Sequence, residues 1–380
     1  MIPSSILSTL PSSPCWVYDM WHILWQIALL QSIKLDHLRV RYAMKANHHP
    51  AIMQLMLEQG IGIDASSEYE LQYAIQQWYT PSQIQLCSQQ LPHDLTQNIY
   101  HDVDIVATSL HQLEQIGKYT PHRHVGVRIN PGAGSGHHRK TTVAGTASSF
   151  GIRHTYIPEI LAIARRYELT ITKLHTHIGS GIDPKAREAV VETSLQLSHQ
   201  FPDITTINLG WGRPVARMPG EAAFDTDYMT QLLQQQSKIW NLTHASPVHR
   251  EIELGGRLVA NSGYLVAHVM DIVDTGHDGY TFVKLNTGMN DILRPTLYGS
   301  QHPITVHTTA TTHQAYVFVW HCCESGDVLT VGSDGHISPI ITSTATIGDQ
   351  VIIGGCGGYC QSMSAVGYNG YPPTPSISYK

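Results

Sequence analysis

Apolar positions recur along the 380-residue chain in two different patterns. From about residue 20 to residue 260, short apolar runs alternate with longer segments in which apolar residues recur at helical spacing. The short runs predict eight β-strands, at Leu38–Ala43, Gly62–Asp64, Ile84–Cys87, Ile105–Ala107, Val125–Ile129, Leu174–Ile178, Thr206–Leu209 and Glu251–Glu253. The longer segments predict helices, among them Pro50–Gln59, Glu68–Trp78, Pro158–Tyr167 and Ala186–Gln200.

The order of these elements predicts the fold class. Eight strands separated by helices favour a (β/α)8 barrel over an open doubly wound sheet, because no Gly-x-Gly-x-x-Gly turn follows the first strand. After about residue 265 the chain changes to alternating segments such as Gln314–Trp320 and Ile341–Ile353, which are separated by turn residues and lack a convincing helical pattern. We therefore predict an α/β protein with a barrel over residues 20–260 and an all-β domain over residues 261–380.

Composition excludes several classes of function. With 23 Lys and Arg against 29 Asp and Glu, the formal charge of -6 gives no electrostatic reason to bind nucleic acid or an anionic membrane. The apolar stretch Trp21–Leu30 is far shorter than the ~20 residues of a membrane span and predicts an amphipathic helix. No basic segment precedes it, so we expect no signal peptide. Six cysteines are too few for a disulfide framework, and we expect a cytoplasmic protein with reduced thiols.

Polar residues stand where predicted strands end, which is where (β/α)8 barrels carry their chemistry. They are Lys45, Asp64, Arg128, His177 and Glu253. A lysine directly after an apolar strand can form a Schiff base with an aldehyde, since a desolvated amine loses its proton easily. A carboxylate at position 253 needs a partner if buried, and a protonated pyridine nitrogen would serve. For both residues a surface position is the alternative.

His175 and His177 are two positions apart, so in a strand both side chains point to the same side. That spacing suits a metal pair, or one histidine stacked on a planar cofactor. Glycine turns follow the predicted strands at Gly179-Ser180, Gly210-Trp211-Gly212 and Gly255-Gly256. Together they can approach a phosphate through backbone N–H groups, whereas each alone is typical of an ordinary tight turn.

The predicted β-domain carries further chemical groups. Arg294–Tyr298 offers a carboxylate-binding guanidinium, Cys323–Asp327 offers a thiol beside acids, and Gly357–Tyr359 offers a phenol. Cysteines at 322, 323, 356 and 360 leave a zinc site as an alternative, but the spacing lacks two paired CxxC knuckles and we expect no metal.

Taken in order, five segments resemble the fold-type-III pyridoxal-phosphate (PLP) decarboxylases, and among them the branch that acts on diaminopimelate. The segments are Tyr42–Asn47 (YAMKAN), Leu174–Ser180 (LHTHIGS), Gly288–Tyr298 (GMNDILRPTLY), Cys323–Asp327 (CESGD) and the GGY…YN region from Gly357 to Asn369. The resemblance runs from Pro14 to Asn369 and implies a PLP-binding barrel. It also implies that the N-terminal strand, within residues 1–19, joins the β-domain, and that the protein is a homodimer with shared active sites.

The resemblance assigns roles residue by residue. It implies that Lys45 forms the Schiff base with PLP, that His177 stacks on the pyridine ring, and that Glu253 binds the ring nitrogen. The remaining implied cofactor contacts are Asp64 and Arg128 near the ring, and Ser180, Gly210, Gly212, Gly255, Gly256 and Tyr359 at the phosphate. The implied substrate contacts are Arg294, Tyr298, Tyr359 and, from the partner subunit, Glu324 at the distal ammonium and Cys323 as proton donor. The implied reaction converts meso-2,6-diaminopimelate to L-lysine and CO2.

This chain departs from the family pattern at three places. Trp211 replaces a glycine of the phosphate loop, and Ser149 replaces the lysine often found before Phe150-Gly151. Gly256 stands where the family's Glu-Pro-Gly-Arg segment has arginine, and Arg257 is displaced by one position. The alternatives that stay open are a decarboxylase of ornithine, lysine, arginine or a D-amino acid, an alanine-racemase-like enzyme, and a non-catalytic homologue.

Overall fold

The structure is a computed structural model that describes residues 2–33, 35–132, 143–177, 179, 184–210, 215–221, 226–243 and 246–380. Its strands are β1 Cys15–Asp19, β2 Leu38–Ala43, β3 Gly62–Ala65, β4 Ile84–Leu86, β5 Asp104–Ala107, β6 His124–Asn130, β7 Ile152–Arg153, β8 Thr170–His175, β9 Thr206–Asn208, β10 His249–Leu254, β11 Gly263–Asp274, β12 Thr281–Leu285, β13 Ile304–His307, β14 His313–Val319, β15 Ile340–Ser343, β16 Gln350–Ile353 and β17 Ser376–Tyr379. Its α-helices are α1 Ser4–Leu7, α2 Met20–Gln31, α3 Pro50–Glu58, α4 Glu68–Gln76, α5 Leu110–Tyr119, α6 Ile157–Tyr167, α7 Pro184–Ser198, α8 Thr226–Thr243, α9 Gly256–Val259 and α10 Arg294–Tyr298.

The chain divides into two compact units. The barrel unit comprises Ile27–Pro214 and Phe224–Gly255, and the β unit comprises Met1–Gln26, Val215–Ala223 and Gly256–Lys380. The segment 215–221 was predicted as part of the barrel. It clusters with the β unit because the Asn261 side chain donates to the Ala216 carbonyl at 2.9 Å and the Arg217 Nε donates to the Gly355 carbonyl at 2.8 Å.

The barrel unit is a closed ring of eight parallel strands in the order β5-β4-β3-β2-β10-β9-β8-β6. A pairing of β5 with β6 closes the ring, and β7 adds to β6 outside it. The eight predicted strands and the (β/α)8 architecture are therefore confirmed. The main boundary error is β8, which begins at Thr170 and ends at His175, whereas the apolar pattern predicted Leu174–Ile178.

A layer of charged side chains, all buried except the partly exposed Asp104, lies at one level of the barrel. Arg41 Nη2 lies 3.1 Å from Glu251 Oε1 and 2.8 Å from Asp104 Oδ2, and the Lys173 ammonium contacts both carboxylates. Burial raises the pKa of Glu251, but Lys173 and Arg41 outweigh it and bring the value to about 2. The attraction between these charges therefore offsets the free energy that is lost when each of them is removed from water.

We expect Glu251→Gln to lower the free energy of unfolding by about 3–5 kcal/mol, because it leaves two buried cations with one carboxylate. The ion pairs' contribution should be complete above the ordinary glutamate pKa of 4.5 and should be lost as the pH falls towards 2, since the folded pKa lies below the unfolded one. Urea unfolding at several pH values measures both effects. The exposed Glu159→Gln is the control and should change stability by less than about 0.5 kcal/mol.

The β unit is built on a sheet of strand order β13-β16-β11-β12-β14-β15. The N-terminal strand β1 joins it antiparallel to β11, and β17 pairs parallel to β1. The unit also contains the short helix α10, which the sequence pattern did not predict. Pro295 in its first turn and Gly299 at φ 61° after its end account for the start and stop of this helix.

The predicted first helix forms as α2, and one side of it is buried. Ile23 and Ile27 are buried in α2, whereas Trp21 and Trp25 are more than half exposed. Among the described residues, no helix is both long and apolar enough to cross a membrane.

Candidate active site

Lys45 lies in a single 3-10 turn, Met44–Ala46, that directly follows β2. Its Nζ lies 3.7 Å from Asp64 Oδ2 and donates to Ser66 Oγ at 3.2 Å. Ser66 is positioned by Glu70, whose side chain accepts the Ser66 backbone N–H at 2.6 Å. The Lys45 side chain is 44% exposed, so this lysine is an accessible amine beside an acid.

Asp64 is the last residue but one of β3 and is buried. Burial and the neighbouring Glu253 charge raise the pKa of Asp64 to about 6, against the opposing effect of Lys45. Gln85 joins the two acids, because its Nε2 donates to Asp64 Oδ1 at 2.9 Å and to Glu253 Oε1 at 2.6 Å. Two strand-end carboxylates that are distant in sequence are thus linked by one amide.

Glu253 is a buried carboxylate whose Oε1 accepts from two amide side chains. Asn208 Nδ2 donates to its Oε1 at 2.7 Å, and His175 Nε2 lies 3.5 Å from its Oε2. Burial raises the pKa of Glu253, but His175 outweighs it and holds the value well below its ordinary range. In return, Glu253 and then Cys87 overcome the effect of burial on His175 and raise its pKa to about 9. The site therefore holds a fixed negative charge in the barrel interior.

Sequence reasoning missed Gln85 and Asn208. Gln85 is the middle residue of β4 and Asn208 is the last residue of β9, and both amides are fully buried. That placement was the available signal, because a buried amide in a strand requires hydrogen-bond partners that an apolar neighbour cannot supply.

His177 lies two residues past the end of β8, so the expected regular strand carrying both histidines is wrong. The ladder ends where Thr176 N–H donates to the Asn208 carbonyl, and the backbone turns at Gly179 with φ 114°. Both imidazoles still lie near enough to Glu253 to lower its pKa. Burial, and then the charge of Arg128, lower the pKa of His177 well below 6.5, so its ring is neutral.

Gly210 packs directly against the His177 ring. It has φ 64°, and a Cβ at this position would lie 2.8 Å from the Cβ of His177. Its N–H donates to Asn208 Oδ1 at 2.8 Å and its carbonyl accepts from the Glu253 N–H. Glycine is required here both by the left-handed backbone and by the close approach. Ser180, Trp211 and Gly212, which the sequence placed at a phosphate, lie outside the described residues; Gly255 is buried and follows β10.

Arg128 extends the site along β6. Its guanidinium lies 5.1 Å from the centre of the Phe150 ring, and Nη1 lies 3.9 Å from Cys87 Sγ. Gly151 follows with φ 80°, and a Cβ there would come within 3.0 Å of the Arg128 carbonyl oxygen. The Ser148–Gly151 segment thus packs on Arg128 without the lysine that the family often carries.

These barrel residues suit a planar pyridine aldehyde. A buried carboxylate with a low pKa can pair with a protonated ring nitrogen, an accessible lysine amine can react with an aldehyde, and a neutral imidazole can lie on an aromatic face.

In the β unit, Asp327 connects two of the motifs. Its carboxylate accepts the backbone N–H groups of Met289 and Cys322, both at 2.7 Å. Cys323 and Glu324 are exposed next to it, and the Cys323 N–H donates to Asn369 Oδ1 at 2.8 Å. The CESGD segment is therefore held by its backbone while its thiol and carboxylate face outward.

Helix α10 presents Arg294 and Tyr298, with the guanidinium 5.7 Å from the tyrosine ring centre. Arg294 Nη2 donates to Ser300 Oγ at 3.2 Å. Tyr359 has φ 58°, and its ring would lie 3.4 Å from a Cβ at Gly256. The alternative of a zinc site built from four cysteines is wrong. Cys356 and Cys360 lie close to His302, and neither Cys322 nor Cys323 belongs to that group.

A family model described as the pyridoxal binding domain of pyridoxal-dependent decarboxylases matches residues 23–260. The chain belongs to this decarboxylase family. The resemblance drawn from the five motifs is thereby confirmed, as is the assignment to pyridoxal-dependent carboxy-lyases.

Similar proteins agree with this decarboxylase assignment over nearly the whole chain. The diaminopimelate decarboxylase of Streptomyces coelicolor is 35% identical over 378 residues, which cover 96% of this chain and 84% of that protein. The diaminopimelate decarboxylase of Escherichia coli K12 is 32% identical and is covered to 88%. A crystal structure of diaminopimelate decarboxylase superposes with a TM-score of 0.89 at 31% identity, covering 97% of this chain and 88% of that one.

Proposed function

We propose that this decarboxylase binds PLP in the barrel unit and converts meso-2,6-diaminopimelate to L-lysine and CO2. The observation that carries the cofactor proposal is the buried Glu253 carboxylate, which is held ionised by His175 beside the neutral His177 and the accessible Lys45 amine. The substrate proposal is supported by the relatives of 31–35% identity, which are diaminopimelate decarboxylases.

When bound, PLP supplies an electron sink for the electrons of the broken Cα–carboxylate bond. Glu253 would keep the ring nitrogen protonated, because a fixed negative charge stabilises the adjacent cation. His177 would lie on the ring face, and Lys45 Nζ would hold the cofactor aldehyde until substrate replaces it. Asp64 and Arg128 would border the ring, and Gly210, Gly255, Gly256 and Tyr359, with Ser180 and Gly212, would surround the phosphate.

The β unit would select the substrate. Arg294 and Tyr298 would hold the distal carboxylate, with Tyr359 beside the substrate, and Glu324 of a partner subunit would accept the distal ammonium. Cys323 Sγ of that subunit would donate the proton to the substrate carbon after CO2 leaves. The exposure of Cys323 and Glu324 supports a role towards a second chain, and hence a homodimer. A cytoplasmic location is part of the same proposal and is supported by six cysteines that are all free.

An assay of CO2 and amine products separates this proposal from its rivals. We expect kcat/KM for meso-diaminopimelate to exceed that for ornithine, lysine and arginine by about 10³-fold or more, since these lack a carboxylate for Arg294 and leave its buried guanidinium unpaired. Comparable turnover of a diamino acid without the distal carboxylate would overturn the substrate assignment. Absence of turnover with every substrate would identify a non-catalytic homologue.

A further inference from the structure

Arg217 occupies a defined position in the β unit. Its Nε donates to the Gly355 carbonyl at 2.8 Å, and its aliphatic stem packs on the same glycine. A Cβ at Gly355, which has φ 65°, would lie 3.0 Å from Arg217 Cγ. The loop that precedes Cys356 is therefore shaped to receive this arginine.

Arg294 shares the same cluster. It is only 8% exposed, and its buried Nε has no hydrogen-bond partner. Burial, followed by the charge of Arg294, lowers the pKa of Arg217 to about 10. Burial and the charges of both arginines also lower the pKa of His302 to about 3. The positive charges of both arginines therefore affect the same neighbouring residue, His302.

Among the residues that the structure describes, no carboxylate balances the two arginines of this region through an ion pair. Neither arginine makes an ion pair with a carboxylate there, and Glu221 approaches Arg217 by accepting its backbone N–H at 2.6 Å. The other neighbours are Cys356, Cys360 and the neutral His302. Burial raises the pKa of Cys356, whereas at Cys360 burial is outweighed by the hydrogen bond with Cys356 and the charges of both arginines, which lower the pKa of the thiol. One buried and one partly buried guanidinium without a paired carboxylate repel each other, and an incoming anion would relieve the repulsion.

The neighbouring histidine and thiols could in principle hold a metal, because their ligand atoms lie within 4.8 Å of one another. The positive charges of Arg217 and Arg294, which lower the pKa of His302, oppose the binding of a cation there, however, and His302 Nδ1 donates to the Gly354 carbonyl at 3.0 Å. The charge balance of the cluster therefore favours an anion over a metal ion.

We propose that Arg217 and Arg294 form one carboxylate-binding pair, which takes the distal carboxylate of the substrate. This inference rests on the proposed function for the identity of the substrate. Arg217 supplies the guanidinium that is missing at Gly256, where a Cβ would meet the Tyr359 ring at 3.4 Å and the Val215 side chain at 3.7 Å. A second planar fork adds charge-assisted hydrogen bonds and fixes the orientation of the carboxylate.

The test compares Arg217→Gln with Arg165→Gln, an exposed arginine on α6. Loss of charge-assisted hydrogen bonds should raise KM for meso-diaminopimelate about 10- to 100-fold with kcat little changed. The residual turnover of L-ornithine, which lacks the distal carboxylate, should keep its KM. The dissociation constant of pimelate, a dicarboxylate without amino groups, should rise by the same factor in calorimetry. Arg165→Gln should leave all three constants unchanged.

Three outcomes would overturn the carboxylate pair. The first is an unchanged KM for meso-diaminopimelate and an unchanged pimelate affinity in Arg217→Gln. The second is a loss confined to PLP affinity, which would assign the arginine to the cofactor phosphate. The third is an equal rise in KM for L-ornithine. If Arg217→Gln does not fold, Arg217→Lys keeps the charge without the planar fork and should raise KM for meso-diaminopimelate and the pimelate dissociation constant about 3- to 10-fold. Failure of the wild type to turn over diaminopimelate would refute the proposed function, whereas the pimelate measurement would still test the arginine pair.

Discussion

Lys45→Ala is expected to abolish the visible absorption of bound cofactor and to reduce CO2 release by at least about 10³-fold. Lys45 Nζ is the accessible amine of the site, beside Asp64 and Ser66. Lys173, which is buried in the barrel, is paired with Glu251 and Asp104 and cannot replace it. Absorption spectra of the reconstituted protein and a CO2 assay measure the two losses.

The matched control for this prediction is Lys238→Ala, since Lys238 is exposed on α8. It should retain both the spectrum and the activity. A pyridoxyl group found on another lysine after borohydride reduction would contradict the assignment of Lys45.

Mixing inactive Lys45→Ala and Cys323→Ala chains extends the same experiment to the proposed homodimer. If each site combines Lys45 of one subunit with Cys323 of the other, random pairing should restore about one quarter of the activity, because half of the dimers then contain one intact site of two. No recovery in chains that demonstrably exchange partners would refute shared sites. Full activity of Cys323→Ala alone would refute its role as proton donor.

Glu253→Gln is expected to lower kcat by about 10²- to 10³-fold while the protein stays folded. The amide keeps the shape of the side chain but removes the fixed negative charge of the site. Since Glu253 holds the pKa of His175 at about 9, that pKa should fall in the variant, and His175 should become neutral near pH 7. Steady-state kinetics and NMR titration of His175 measure the two effects.

Glu251→Gln provides the contrast, because it sits two residues earlier in β10 and faces Arg41 and Lys173. His175 can lose its proton when its acid is removed, whereas the buried arginine and lysine release theirs far less readily. We therefore expect Glu251→Gln to cost more stability than Glu253→Gln, and Glu253→Gln to cost more activity. A kcat of Glu253→Gln within threefold of the exposed control Glu159→Gln would remove Glu253 from the proposed cofactor site.

Much of the fold could be predicted from local sequence pattern. The eight barrel strands are short apolar runs in a chain of alternating elements, and all of them form close to the predicted runs except β8, which begins four residues earlier. The strand-end positions of Lys45, Asp64 and Glu253 follow from the same pattern, because a parallel barrel brings the carboxyl ends of its strands together. The five motifs then identified the family before any contact was known.

The charge state of the site could not be predicted in this way. Whether a carboxyl or an imidazole is ionised depends on burial and on neighbours that are distant in sequence, such as Gln85 and Glu253, which are 168 positions apart. The same holds for the end of β8 at His175, which is set by the pairing of this residue with Asn208 at the end of β9 and not by the apolar run.

The sequence by itself thus determined the barrel, the β-domain and the residue types of the site, because periodicity and motif order are local properties. Only the tertiary structure decided which of these groups carry charge, which amides support them, and that the charges of Arg217 and Arg294 both act on His302. Those properties arise from distances between segments far apart in the chain, and electrostatic energies depend steeply on distance and burial.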